Sequence, residues 1–389
     1  MPTIAPQPLR RWDLFCRVID NHGDLGVCWR LARDLVSRGH AVRLWVDDPA
    51  ALAWMVPEWP AGLDVIHWRQ PPAVAGSVVL DTGRAVDEAW HADVLVEAFG
   101  CEIDPDYAAR QVPPAAGAAA ARRWINLEYL SAESYVERSH GLPSPVMSGP
   151  AAGRTKFFVY PGFTPRTGGL LREPDLPARQ HAFNAADWLA RQGIRHAAGE
   201  RLISLFCYEP APLAGWLHTL ADGTDRTRLL VTPGRPRQAV EAAGFATGRD
   251  ALALDFLPHL PQPRFDELLW CCDLNLVRGE DSLVRALWAG RPFVWHLYPQ
   301  DDGAHIPKLN AFLDFWLDGA PPALAALVRH WHQAWNGSEP ADTLPSLDDA
   351  QLQAWARWAQ EARARLWQQD DLTTQLIRFT APAPSHVPD

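Results

Sequence analysis

The sequence predicts an α/β protein of two tandem, doubly wound parallel sheets, and three observations carry that prediction. Short apolar runs alternate with segments of helical periodicity, the pattern of strands joined by crossover helices. The alternation gives way to a loop-rich stretch, residues 161–177, and then starts over. With 389 residues, 48% of them hydrophobic and 21% charged, the chain can fill the cores of two ordinary domains.

The first strand is read at residues 12–19. It ends in Asp20-Asn21-His22-Gly23-Asp24-Leu25-Gly26, after which Val27, Leu31 and Leu35 recur at helical spacing. Residues 41–46 form a second strand closed by Asp47-Asp48-Pro49, and a helix begins within residues 50–55. Residues 65–68, 78–80, 94–96, 124–127 and 157–160 each look like a buried strand. After a helix near 187–192, five more strands are expected at 202–206, 228–232, 252–256, 274–277 and 292–295. The Ala-rich residues 113–121 carry little structural signal. Leu352, Trp355, Ala359, Ala362 and Leu366 lie at i, i+3, i+7, i+10 and i+14, one apolar stripe on a C-terminal helix. The expected domains are therefore 10–177 and 178–340, with 341–380 as a helical segment packing back on the first.

Composition narrows the partners. Thirty-six Lys and Arg against 46 Asp and Glu give a net charge of −10, without the basic stripe that a nucleic-acid footprint needs. The six cysteines form no C-x-x-C and read as reduced core residues. No signal-peptide pattern opens the chain and no apolar run reaches membrane-spanning length, so a cytoplasmic protein without a membrane partner is expected. Nineteen Trp against six Tyr is unusual, and their helical or strand spacing reads as core filling.

No G-x-G-x-x-G, P-loop, G-x-S-x-G or H-E-x-x-H occurs, which removes support for dinucleotide oxidoreductases, P-loop enzymes, serine hydrolases and common zinc sites. Asp104-Pro105-Asp106 is more simply a turn than a metal ligand pair. Two loops remain. In Asp20-x-x-Gly23-Asp24-x-Gly26 the glycines permit a tight path and two carboxylates fall at a strand's carboxyl end, where doubly wound sheets bind ligands. In Arg278-Gly279-Glu280-Asp281-Ser282 a strand turns into a helix beside an arginine, which suits a diphosphate. Tyr298-Pro299-Gln300-Asp301-Asp302 leaves another strand and is expected beside the first loop. Tandem domains whose loops face one cleft define a GT-B glycosyltransferase with two Rossmann-like domains, the second holding a nucleotide sugar.

The segments WDLFCRVIDNHGDLGVCWRLARDL, WINLEYLSAESY, FFVYPGFTPRTGGLLRE and LPQPRFDELLWCCDLNLVRGEDSLVRALWAGRPFVWHLYPQ together resemble the elongation factor P arginine rhamnosyltransferases (EarP), over about residues 12–380. The resemblance implies inverting transfer of L-rhamnose from dTDP-β-L-rhamnose to an arginine of elongation factor P, with the first domain gripping that protein. It places the family's essential acids on Asp20, Asp24 and Glu280, with Asp24 as general base. It places Gln262 at the thymine, Arg278, Asp281 and Ser282 at the diphosphate, and Phe206 and Tyr208 against the donor. His22 and His259 depart from the aromatic residues usual there, and at His259 weaker base stacking is expected. No metal or other cofactor is implied. The same loops would also fit a sugar or lipid acceptor, or a nucleotide-sugar-binding module without turnover; the retained acids speak against the latter.

Overall fold

The computed structural model describes residues 9–18, 22–68, 79–80, 90–112 and 123–381. Ile19, Asp20 and Asn21, Val78, and the Ala-rich residues 113–121 lie outside them. The chain divides into two compact units, residues 1–173 with 369–389, and residues 174–368.

In the first unit the order is β1 (Arg11–Cys16), α1 (Gly23–Ser37), β2 (Ala41–Val46), α2 (Leu52–Met55), β3 (Leu63–His67), β4 (Val79–Leu80), β5 (Val94–Ala98) and α3 (Pro105–Gln111). Then come β6 (Trp124–Leu127), α4 (Ser134–Ser139), β7 (Pro143–Pro145) and β8 (Thr155–Val159). Their sheet runs β4-β3-β2-β1-β5-β6-β8-β7 among the described residues, parallel except at the antiparallel edge strands β4 and β7. β1 pairs with β2 in register Arg11 to Ala41 and with β5 in register Trp12 to Val94. The order therefore reverses between β1 and β5, which opens a ligand crevice at the end of β1.

α1 buries Leu25, Cys28, Leu31, Ala32 and Leu35 against Leu14, Leu44, Val65 and Val96. On the sheet's other side Asp13, fully buried, accepts from both Arg43 (3.0 and 3.2 Å) and Trp90 (3.1 Å) and from the Tyr107 hydroxyl, so its charge is matched without solvent. Asp104 caps α3, accepting from the Tyr107 N–H at 2.8 Å, the turn role expected of it.

The second unit contains α5 (Leu176–Ala182), α6 (Ala185–Arg191), β9 (Arg201–Leu205), α7 (Leu213–Asp222), β10 (Thr227–Val231), α8 (Arg235–Ala242), β11 (Leu252–Phe256) and α9 (Gln262–Cys271). It continues with β12 (Leu274–Arg278), α10 (Gly279–Ala289), β13 (Phe293–His296), α11 (His305–Trp316), α12 (Pro322–Trp335) and α13 (Asp349–Trp367). The sheet order is β11-β10-β9-β12-β13, all parallel, with its reversal between β9 and β12.

The C-terminal segment corrects an expectation. The Trp-bearing helix α13 belongs to the second unit, where it packs on α10 and α12 with its predicted stripe buried. The Trp358 indole there donates to the Trp316 carbonyl at 3.1 Å. α14 (Leu372–Thr380) is the element that returns to the first unit. Leu372 and Leu376 join the core around α1, and Arg38 binds Asp34, Asp371 and Thr374 at 2.6–2.8 Å. Gly169 makes that return possible: at φ +72°, any Cβ there would stand 2.5 Å from the Asp370 carbonyl oxygen.

The tryptophans are packing residues for the most part. Trp12, Trp29, Trp188, Trp288, Trp295, Trp316, Trp331, Trp335 and Trp355 are almost fully buried. All six cysteines are buried and unpaired to one another.

Candidate active site

In the second unit the loops after β9 and β12 meet at the reversal point of the sheet. Arg278 ends β12 in extended conformation and occupies the N-cap position of α10 without a capping side-chain hydrogen bond. Its guanidinium lies 4.6 Å from the centroid of Phe206 and 4.7 Å from that of Tyr208, and it donates to the Cys207 carbonyl at 3.3 Å. Two aromatic rings and a carbonyl thus hold one arginine at the end of β12. Gly279 follows at φ +70°, with open space where a side chain would project. The Trp295 indole fixes that turn by donating to the Gly279 carbonyl at 2.9 Å. Ser282 is buried, its hydroxyl donating to the Arg278 carbonyl. What the segment offers an anion is therefore a guanidinium and a helix terminus with its backbone N–H groups.

Tyr208 is buried, with the Arg235 guanidinium 5.0 Å from its centroid and His296 and Tyr298 edge-on at 5.2 and 5.4 Å. The Tyr208 backbone N–H donates to His296 Nδ1 at 3.3 Å. Burial, reinforced by the charge of Arg278, pushes the His296 imidazole down to about 3, so it stays neutral and keeps that acceptor. Phe206 is half-buried and touches Phe265 edge-on at 5.4 Å, one turn beyond Gln262. Gln262 itself is buried at the start of α9, while His259 is exposed in the loop before it. A bidentate pair, Asp266 with Arg285 at 2.9 and 2.8 Å, ties α9 to α10. Glu280 accepts from Lys308 of α11 at 2.6 Å.

In the first unit Asp24 is the second residue of α1 and is buried. The positive end of the helix favours its carboxylate. Burial, with help from neighbouring Cys16 and Asp24, raises the Cys28 thiol well above its ordinary value, which makes it a packing residue and not a nucleophile. His22 precedes the helix and meets Trp54 edge-on at 5.5 Å. The Val18 N–H donates to Asp47 at 2.9 Å, anchoring the start of the loop at the end of β2.

Sequence reasoning missed Arg235, Glu209, His296 and Lys308. Arg235 had a signal: Pro233-Gly234-Arg235 leaves a strand and opens a helix, with Gly234 at φ +79°. Arg235 pairs with Glu209 at 2.7 Å and is thereby placed over Tyr208. Lys308 had none, because it reaches Glu280 across 28 positions from a different helix. Among the described residues no group of three or more His, Cys, Asp or Glu is arranged to hold a metal, and no helix is long and apolar enough to cross a membrane.

Two Rossmann-type sheets, each with its crossover reversal, are the architecture of the GT-B glycosyltransferases. The spinosyn rhamnosyltransferase SpnG shares that fold, with a TM-score of 0.52 at 14% identity over 95% of this chain and 99% of its own. The profile of the EarP family, the elongation factor P (EF-P) rhamnosyltransferases, matches residues 12–381. Protein-arginine rhamnosyltransferases of Pseudomonas aeruginosa and Pseudomonas putida are 43% and 42% identical, each over 95% of this chain and 98% of the relative. A solved structure described as the structural basis for EarP-mediated arginine glycosylation of translation elongation factor EF-P aligns at TM-score 0.60 and 30% identity. That alignment covers 95% of this chain and 98% of the other. The chain belongs to the EarP family and is a protein-arginine rhamnosyltransferase.

Proposed function

We propose that the donor is dTDP-β-L-rhamnose, that the acceptor is one arginine of elongation factor P, and that transfer is a single inverting displacement. The observation that carries the donor reading is Arg278, held over Phe206 and Tyr208 at the N-terminus of α10. Family membership supports the acceptor, and it supports the assignment of the second unit to the donor and the first to the protein partner.

The chemistry explains why acids are required. A guanidinium is charged at neutral pH and has no lone pair ready for attack. Handing its proton outright to a carboxylate spans roughly eight pKa units, over ~11 kcal/mol at about 1.36 kcal/mol per unit. The proton therefore leaves as the bond forms. The guanidinium nitrogen attacks C1 of rhamnose, the C1–O bond to the diphosphate breaks with its electron pair, and Asp24 takes the proton. Asp20, which lies outside the described residues, holds the guanidinium through charge-assisted hydrogen bonds in this scheme, and Glu280 orients the reacting groups. Arg278 and the N–H groups at Asp281 and Ser282 neutralise the charge growing on dTDP, with Gln262 and His259 at the thymine. This scheme needs no metal. A cytoplasmic site of action follows from the acceptor, a translation factor.

The test is the intact mass of elongation factor P after incubation with dTDP-rhamnose and this enzyme. One added deoxyhexose, mapped to a single arginine, is expected. An unchanged mass, or modification of a different residue type, overturns the proposal.

A further inference from the structure

We infer that Lys308 is a positioning residue for the donor's diphosphate, acting through Glu280: it cancels that carboxylate's charge so that a helix terminus bearing two acids can accept an anion. The inference rests on the donor reading above.

The first turn of α10 carries Glu280 and Asp281. Carboxylates are favoured at a helix N-terminus for the same reason that phosphates are, so these two compete with a diphosphate for one field. Lys308 changes that balance. Its ammonium lies 2.6 Å from Glu280 Oε1, and the two side chains are only 23% and 18% exposed, so solvent screens the pair incompletely. The contact is not a local helix pair. Lys308 stands in the first turn of α11, whose Leu309, Phe312 and Leu313 are fully buried. Phe312 also packs edge-on against Trp295 at 5.2 Å, the same Trp295 whose indole holds the Gly279 carbonyl. One rigid unit therefore presents both the anion-binding turn and the lysine that neutralises its acid.

The neighbouring charges show why the cancellation matters. Arg235 is already paired with Glu209, and the Glu280 carboxylate is met by Lys308. Without Lys308 that match to the Glu280 charge is lost in the turn proposed to take the diphosphate.

The experiment is titration of the full-length enzyme with dTDP, followed by calorimetry, for the wild type, Lys308→Met, Lys308→Arg, Glu280→Gln and the Lys308→Met/Glu280→Gln double variant. Lys308→Met should weaken dTDP binding about tenfold, which is ~1.4 kcal/mol. Lys308→Arg should stay near wild type. Glu280→Gln should bind dTDP more tightly than wild type, and the double variant should return close to it. A lysine that touches phosphate directly would leave the double variant as weak as Lys308→Met, which overturns the inference. A purely structural ion pair would make Glu280→Gln bind equally or more weakly, which also overturns it. So does a Lys308→Met enzyme with undiminished affinity and an unchanged melting temperature. Absence of dTDP binding by the wild type would instead refute the donor reading itself.

Discussion

Asp266→Asn tests whether α9 and α10, the helices proposed to hold the donor, are locked by a buried charge. Asp266 accepts from Arg285 Nε at 2.9 Å and from its terminal nitrogen at 2.8 Å, with side-chain exposures of 0% and 1%. Arg179 stands 3.6 Å away on the same carboxylate. Replacing the acid by an amide removes the anion but leaves the Arg285 guanidinium without water, and the new amide N–H groups face a donor. Breaking a buried pair this way costs about 3–5 kcal/mol. For a domain of this size each kcal/mol lowers Tm by about 2–4 °C, so a drop on the order of 10 °C is expected. Arg179 suffers less, since it also pairs with Asp175 at 3.2 Å and is partly exposed. Calorimetry measures the loss, and hydrogen exchange of peptides from α9 and α10 locates it. The control is Asp266→Leu/Arg285→Met, which removes both charges and should lie within about 2 kcal/mol of wild type. A single variant within about 1 kcal/mol of wild type would refute the reasoning, as would a double variant no better than the single one. Because the pair joins the helix that begins at Gln262 to the one that begins at Gly279, dTDP affinity should fall with stability.

Three further outcomes are expected. Asp24→Asn keeps the size of a residue buried in the first turn of α1 and should retain dTDP binding while losing rhamnosyl transfer; near-normal turnover in that variant removes Asp24 from the base role. Transfer should persist when EDTA is added, and a strict demand for a divalent ion would contradict the scheme. The second unit should lose stability in acid. Burial pushes His296 down to about 3 and His332 down to about 4, so both stay neutral in the folded state while the unfolded chain takes up protons below about 6.5. Each then costs about 1.4 kcal/mol per pH unit between 6.5 and its own folded value, and His332→Gln should flatten the slope of Tm against pH; an unchanged slope refutes the assignment.

Much of the fold was legible because its signals are local. Residues 41–46, 124–127 and 252–256 were read as strands at their observed limits, since short, mainly apolar runs between turn residues mark a strand both inside the sheet, as in β2 and β6, and half-buried at its edge, as in β11. Strand β7 went unread: Pro143-Ser144-Pro145 has no strand composition and is held only by pairing with β8. The C-terminal stripe on α13 was equally legible, yet its docking surface was not, because periodicity names a buried face and says nothing of what covers it.

The same division runs through the site. The sequence by itself determined the family, the two tandem sheets, and the candidate segments at 20–26 and 278–282, because each is written in neighbouring residues. Only the tertiary structure decided that Arg278 rests against Phe206 and Tyr208, that Arg235 reaches Tyr208, and that Lys308 reaches Glu280. It also decided that the last helix, and not the tryptophan-bearing one before it, completes the first core. Those partners come from separate strands and helices, and a contact between distant positions is fixed by how the elements pack, which no local pattern records.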